Sequence, residues 1–246
     1  SGLLAELDSI RVNVITQPDA RFTAFKDLVL SYEGPEYNIQ GFNNPWKDDH
    51  EMLANIEDDK TLTENITMQS IWNDVNIDPN AIYGYIHTKG ITAIKHLLKL
   101  DINTYKRYYA WRQFLNYGVI ECYKDCWGQL SGDKMLPVDI VGVNYRQVPT
   151  PHYSGSFWWA HGKYIQKLPD PATKEWWYEV KQRTNDIWLK HCPDRYRDEQ
   201  WHLTAKVENP EEVRCANLLG PLNLPNPAEE YLPAYKYRGK TYKDKK

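Results

Sequence analysis

A long amphipathic segment is the feature that most constrains what this sequence can fold into. Its apolar residues recur at steps of three and four over residues 104–127, which is the spacing of one face of a helix. Strand-like segments lie on either side of it, AIYGYIHTKG at 81–90 and PVDIVGVN at 137–144. The second is mostly apolar, as is typical of a strand buried on both faces. Strands alternating with helices predict an α/β layered domain.

Further segments continue this alternation, with a strand over 10–16 and helices over 21–30, 61–73 and 173–190. The helix at 61 begins with Thr61 and Glu64, which have the spacing of a capping box. Beyond residue 205 the chain becomes rich in proline and ends in a basic stretch. We therefore predict one α/β domain over 1–204 and a Pro-rich, basic C-terminal extension over 205–246.

Charge and hydropathy exclude two classes of partner. The 246 residues carry a net charge of −3, so there is no general electrostatic case for nucleic-acid binding. No apolar run reaches the length of a membrane span, and no signal peptide is visible. The four cysteines lack the spacing of a zinc site and are interpreted as reduced thiols. We expect a cytoplasmic protein, or one of the host cytoplasm if the source is viral.

Aromatic content is unusual, because ten Trp and 18 Tyr accompany only five Phe. Such rings pack at one end and form hydrogen bonds at the other, a chemistry suited to sugars and also common in cores. They concentrate in PHYSGSFWWAHGKYI at 151–165, where Ser154-Gly155-Ser156 is permissive for the backbone. Adjacent side chains diverge in regular structure, so Trp158 and Trp159 cannot share one core. We expect one ring to line a cavity; the alternative is that each packs in a core.

The tetrapeptide HTKG, residues 87–90, lies at the predicted end of a strand, where ligands bind in α/β sheets. His87 offers an imidazole and Thr88 a hydroxyl, whereas Lys89 offers a charge suited to phosphate. Gly90 allows the backbone to approach a ligand closely. The alternative interpretation is a polar strand end with a solvated lysine.

Arg183 and Asp186 lie three residues apart on a predicted helix. They can form an ordinary surface ion pair, which contributes little stability. Asp186 can also accept the proton of an acceptor hydroxyl. The sequence leaves both interpretations open.

The order of YIHTKG, WRQFLNY, ECYKDC, VDIVGVN and PHYSGSFWWAHGKYIQKLP resembles a family of glycosyltransferases. Its members occur in bacteria and large DNA viruses and include the rhamnosyltransferase domain of a chlorella virus protein. The resemblance covers residues 80–190. It implies a GT-A-like, Rossmann-type sandwich, with a mixed central sheet flanked by helices, that binds a nucleotide sugar.

The resemblance also implies roles for individual residues. His87, Thr88, Lys89 and Gly90 match the strand-end motif and would border the donor diphosphate, with Lys89 taking part in catalysis. Asp186 would be the catalytic base of an inverting reaction. The remaining donor- or acceptor-binding candidates that the resemblance implies are Trp111, Arg112, His152, Ser154, Gly155, Phe157, Trp158 and Trp159. Arg183, from the predicted helix beside Asp186, is a further candidate.

One departure from the family concerns metal. Many GT-A enzymes hold Mn²⁺ or Mg²⁺ with an Asp-x-Asp motif at the strand end where this chain has His87-Thr88-Lys89. A lysine can offset diphosphate charge itself, so metal dependence is left open, with His152 as the candidate ligand.

The expected function is transfer of a sugar from a nucleotide-sugar donor to a glycan or another hydroxyl acceptor. The alternative is a non-catalytic carbohydrate-binding or structural module derived from a glycosyltransferase. The sequence leaves the donor sugar, the base, the acceptor and the oligomeric state open.

Overall fold

The computed structural model describes residues 3–15, 36–42, 65–87, 102–132, 137–146, 151–183, 187–191, 197–204 and 213–218. The strands in these ranges are β1 Ser9–Ile15, β2 Glu36–Phe42, β3 Ile82–Tyr85, β4 Ile140–Gly142, β5 Tyr145–Arg146, β6 His152–Tyr153, β7 Trp158–His161 and β8 Cys215–Asn217. The helices are α1 Asn65–Ile77, α2 Ile102–Asn116, α3 Tyr123–Ser131, α4 Gly162–Ile165, α5 Glu175–Arg183, α6 Ile187–Lys190 and α7 Arg197–Thr204.

A mixed sheet of four described strands forms the centre of the fold, in the order β3-β7-β4-β8. Strand β7 runs antiparallel to both of its neighbours, whereas β4 and β8 run parallel. The strand predicted at 137–144 is confirmed, and all three residues of β4 are buried. The predicted α/β class and mixed sheet are therefore confirmed.

Each face of this sheet carries its own hydrophobic cluster. On one face, which we call the first face, Tyr85, Ile140 and Trp158 pack with side chains of α1, α5 and α7. On the opposite, second face, Val141 and Trp159 pack with side chains of α2 and α3. Helices thus cover both faces of the sheet, because its strands alternate apolar residues toward the two sides.

The helix predicted over 104–127 is helical along its length but is not one regular helix. A π turn over Tyr117–Glu121 joins α2 to α3. Such a turn releases carbonyls from the regular helical ladder, and two buried side chains bind them. The indole N–H of Trp159 donates to the Val119 carbonyl at 2.8 Å, and the Cys126 thiol donates to the Gly118 carbonyl at 3.3 Å. Burial raises the pKa of the Cys126 thiol, which keeps its proton on the sulfur.

The first strand is confirmed, since β1 covers most of the predicted 10–16 and pairs in parallel with β2. The 3₁₀ turn before it, Leu3–Glu6, is attached to α3. The hydroxyl of Tyr123 donates to a Glu6 carboxylate oxygen at 2.7 Å, and Lys124 lies 2.9 Å from the same oxygen. The predicted helix at 21–30 lies outside the described residues.

Other predicted boundaries differ from the structure. The helix at 61–73 is confirmed as α1, but it continues to Ile77, and its predicted start lies outside the described residues. The segment 173–190 contains two helical pieces, α5 and α6. Strand β8, which the sequence assigned to the C-terminal extension, pairs with β4 inside the central sheet. In the described ranges, no helix has the length and apolarity needed to span a membrane.

Candidate functional site

Four strand ends meet at one edge of the central sheet. The register pairs Trp158, the first residue of β7, with Tyr85, the last residue of β3, and also with Gly142, the last of β4. Gly142 is paired in turn with Asn217, the last residue of β8. We call this the carboxyl edge, because β3, β4 and β8 all end there. Ligands in open α/β sheets bind beyond such an edge.

A short hairpin carries the Ser-Gly loop to the carboxyl edge. Strands β5 and β6 pair antiparallel, with Tyr145 opposite Tyr153, and residues 154–156 follow. Asn144 holds this loop twice at 3.0 Å: its carbonyl accepts the Ser154 N–H, and its side-chain amide donates to the Ser154 carbonyl. The Ser156 N–H donates to the Tyr153 carbonyl at 2.8 Å, which closes a tight turn.

Left-handed backbone conformations are concentrated in these residues. Asn144 has a φ of 61°, Ser156 a φ of 55° and Gly155 a φ of 100°. Side chains disfavour this left-handed region, and such residues cluster at binding and catalytic sites. Position 155 favours glycine because its φ of 100° is disfavoured for any side chain, and a Cβ there would also lie 2.7 Å from the Leu115 Cδ1 atom. It would also lie 3.4 Å from the Trp111 ring, so the loop packs directly against α2.

His87 connects the end of β3 to the same loop. Its Nε2 lies 2.8 Å from the Gly155 carbonyl oxygen. A carbonyl can only accept, so Nε2 carries the hydrogen and donates it. The imidazole also stacks on Tyr85 and meets the edge of Phe157 at a centroid distance of 5.2 Å. The structure thus brings together His87, Gly155, Phe157 and Trp111, which belong to three separate sequence motifs.

The two tryptophans of the loop motif diverge as predicted, and both are buried. Trp158 lies on the first face and is 0% exposed, whereas Trp159 lies on the second face and is 6% exposed. The expectation that one of the two rings stays outside a core is therefore wrong. The reason is that helices pack against both faces of β7, so each side of the strand leads into a core.

A buried histidine that the sequence analysis missed supports the loop from below. His202 of α7 is 0% exposed, and its ring stacks on Tyr153 at 5.5 Å and on Trp158 at 5.8 Å. Its Nε2 accepts the backbone N–H of Tyr153 at 3.1 Å, so the ring must be neutral at that nitrogen. Burial, together with the nearby His152, lowers the pKa of His202 well below its usual value. Its position between the apolar residues Trp201 and Leu203 was the one available signal of its burial.

The remaining candidates have other surroundings or lie outside the described residues. Arg112 lies over the Tyr109 ring of its own helix, 5.4 Å from the centroid. His152 is buried next to His202, and the described ranges contain no cluster of three or more His, Cys, Asp or Glu side chains that could hold a metal ion. The candidates outside the description are Thr88, Lys89, Gly90, Asp186 and the side chain of Arg183.

Residues 31–215 match the model of a protein family described as a domain of unknown function, DUF8361. This match covers most of the chain, and the protein belongs to that family. No curated protein and no solved structure matches the chain.

Proposed function

We propose that this member of the DUF8361 family is a glycosyltransferase that moves a sugar from a nucleotide-sugar donor to a glycan or another hydroxyl acceptor. The observation that carries the proposal is the hydrogen bond from His87 to the Gly155 carbonyl, with the Trp111 ring against the same glycine. Three motifs that are far apart in the sequence meet there. A binding site built from these motifs requires them to meet in the fold, whereas unrelated polar segments would have no reason to meet.

Charge at the leaving group is the first chemical requirement of this reaction. Departure of a nucleoside diphosphate builds negative charge on its oxygens, and a fixed cation or N–H donor next to them lowers the barrier. Lys89 follows His87 by two residues in the sequence, and in the proposal it supplies that cation. Removal of one such group costs on the order of a hundredfold or more in rate.

Deprotonation of the acceptor hydroxyl is the second requirement. Asp186 is the proposed general base, a role that contributes a factor of roughly 10²–10⁴. In an inverting transfer its carboxylate takes the hydroxyl proton while the acceptor oxygen bonds to the anomeric carbon and the diphosphate leaves.

Rigid placement of the loop backbone is the third contribution. Asn144 and His87 bind the loop from two sides, and Trp158 and His202 fill the space below it. In the proposal the tryptophans therefore act as a scaffold for the loop rather than as stacking platforms for the sugar. A backbone held in advance spares the entropy of ordering it when substrate binds.

A panel of nucleotide sugars tests the proposal. The purified chain is incubated with UDP-, GDP- and dTDP-sugars, with and without Mn²⁺, and release of nucleoside diphosphate is measured. We expect turnover with at least one donor and a loss of roughly a hundredfold or more in Lys89→Ala. Lys163→Ala is the matched control, because Lys163 is exposed on α4. Equal activity of both variants, with unchanged melting temperatures, would remove Lys89 from the mechanism.

A second candidate function is a non-catalytic carbohydrate-binding or structural module derived from a glycosyltransferase, and one observation favours a structural role for the loop motif. Trp158 and Trp159, the most conspicuous residues of the loop motif, are buried, so packing alone can account for their presence. Calorimetry separates the two functions. Binding of UDP, GDP or dTDP supports the transferase, whereas binding of a glycan without any nucleotide supports the module.

A further inference from the structure

Among the described residues with an unpaired buried side-chain atom, Asn217 is the one in which two such atoms are unpaired. Both its amide nitrogen and its amide oxygen are buried, and neither has a hydrogen-bond partner among the residues that the structure describes. Buried polar groups in native proteins nearly always have partners, and an unpaired one destabilises the fold. A residue that remains unpaired in the free protein therefore suggests a ligand.

The position of Asn217 places this unpaired amide at the carboxyl edge. It is the last residue of β8 and is paired with Gly142 of β4. Cys215, two residues earlier, packs against the cluster on the first face. Because side chains alternate along a strand, Asn217 faces the same side. Asn144 follows Gly142 by two residues. It has a φ of 61°, and its side chain binds the Ser-Gly loop.

The chemistry of a carboxamide limits what it can bind. It is neutral and presents two N–H donors beside one carbonyl acceptor, so it pairs with a neutral group that offers an adjacent acceptor and donor. The edge of a nucleobase and the hydroxyls of a sugar both have this pattern. A phosphate does not, since it offers acceptors alone and is bound best by cations.

Distance separates this amide from the phosphate end of the proposed site. His87, where the cationic motif begins, follows β3, whereas Asn217 ends β8, and the strand order puts three spacings between them. Neighbouring strands lie about 4.8 Å apart, so the two strand ends are separated by about 14 Å along the edge. The part of a nucleotide sugar near Asn217 is therefore remote from its diphosphate.

We propose that Asn217 is a ligand-binding residue whose carboxamide binds the neutral, non-phosphate part of the donor substrate. This inference rests on the proposed transferase function. It adds a second binding point at the end of the carboxyl edge that is farther from His87. Either the nucleobase or the sugar can supply the adjacent donor and acceptor with which a carboxamide pairs.

The test replaces Asn217 by leucine, which has a similar size and no polar atoms. Because the amide forms no hydrogen bond within the described protein, Asn217→Leu should keep or raise the melting temperature. The same variant should weaken ligand binding roughly tenfold or more. Asn73→Leu is the matched control, since Asn73 is exposed on α1, and we expect it to leave binding unchanged.

Calorimetry on the full chain uses two kinds of probe, the nucleoside diphosphates UDP, GDP and dTDP and the corresponding nucleotide sugars. Weaker binding of both by Asn217→Leu assigns the amide to the nucleobase, and weaker binding of the nucleotide sugar alone assigns it to the sugar. If the wild type binds and Asn217→Leu binds equally well, this inference is overturned and the transferase function stands. If the wild type binds no probe, both are overturned. Should Asn217→Leu fail to fold, Asn217→Ala is measured in the same way.

Discussion

At the amino edge of the central sheet, where β4 begins and β7 ends, the polar backbone atoms have ordinary partners. The His161 N–H donates to the Asp139 carbonyl at 3.1 Å, and the Gly162 N–H donates to the Ala81 carbonyl at 2.9 Å. At the carboxyl edge, by contrast, Asn144 and Ser156 adopt left-handed backbone conformations, and the Asn217 amide has no partner in the described part of the chain.

This contrast shows at which edge of the sheet the destabilising features lie. Strained backbone and unpaired polar atoms both cost free energy and persist only where the surrounding structure holds them. Sequences depart from such local rules mainly at functional sites. The two edges belong to the same four strands, so sheet formation alone does not explain why these costs fall at one of them.

The largest effect is expected for the tryptophan below the carboxyl edge. Trp158 is fully buried between Tyr85 and His202, so Trp158→Ala should reduce the free energy of unfolding by about 3–5 kcal/mol. Urea unfolding measures this change. A small loss of stability accompanied by loss of nucleotide binding would mean that the ring contacts ligand. The contrast between a packed interior and a ligand-binding carboxyl edge would then fail.

Substitution of two glycines, one at each edge, separates effects on stability from effects on binding. A Cβ on Gly155 would meet Leu115 at 2.7 Å and sit at a φ of 100°, and a Cβ on Gly162 would meet the Pro79 carbonyl oxygen at 2.7 Å. We expect Gly155→Ala and Gly162→Ala each to destabilise the protein by about 2–4 kcal/mol, through the disfavoured φ and the contact with the Leu115 side chain in the first and through displacement of the Pro79 backbone in the second.

Their binding properties should differ, because only Gly155 belongs to the loop at the carboxyl edge. At a temperature where both variants are folded, Gly155→Ala should bind nucleotide roughly tenfold or more weakly, since displacement of the loop breaks preorganised contacts. Gly162→Ala should bind as the wild type does. Equal losses in both variants would indicate a general effect of instability rather than a difference between the edges.

A smaller effect concerns pH. His202 has a folded-state pKa well below its usual value of 6.5, so the unfolded chain binds a proton that the folded protein excludes. Its contribution is fully present above pH 6.5 and is lost as pH falls below that value, by at most about 1.4 kcal/mol per pH unit. Urea unfolding between pH 8 and pH 5 should therefore show a shallower pH dependence in His202→Phe.

His191 offers the control for this measurement, because it is exposed at the end of α6. His191→Gln should keep the pH dependence of the wild type. If His202→Phe and the wild type lose stability in parallel, His202 is not the group that excludes the proton. Water would then reach the interior below the loop more readily than its burial indicates.

The sequence predicted much of the fold because periodicity is a local property. The helix at 104–127 and the buried strand at 137–144 were found from the spacing of apolar residues. The π turn within the helix was not, since it depends on the indole of Trp159 and the thiol of Cys126, which meet its carbonyls only in the folded chain. Strand β8 was missed because Cys215–Asn217 is too short to show a period.

The candidate site was predicted in part. The convergence of His87 with the Ser-Gly loop follows from the rule that ligands bind at strand ends, and the structure brings these residues together. Asn144, His202 and Asn217 were not identified, because their importance lies in backbone conformation, in burial and in an unpaired amide. Of these properties, only the burial of His202 has a signal in the sequence, namely its apolar neighbours Trp201 and Leu203.

Amide hydrogen exchange with and without a bound nucleotide sugar from the donor panel tests the central claim most directly, namely that the carboxyl edge is the binding edge. The account predicts slower exchange in peptides that contain His87, Ser154–Ser156 and Asn217, with no change around Asp139, His161 and Gly162. Protection confined to the amino edge, or found only away from both edges, would contradict it.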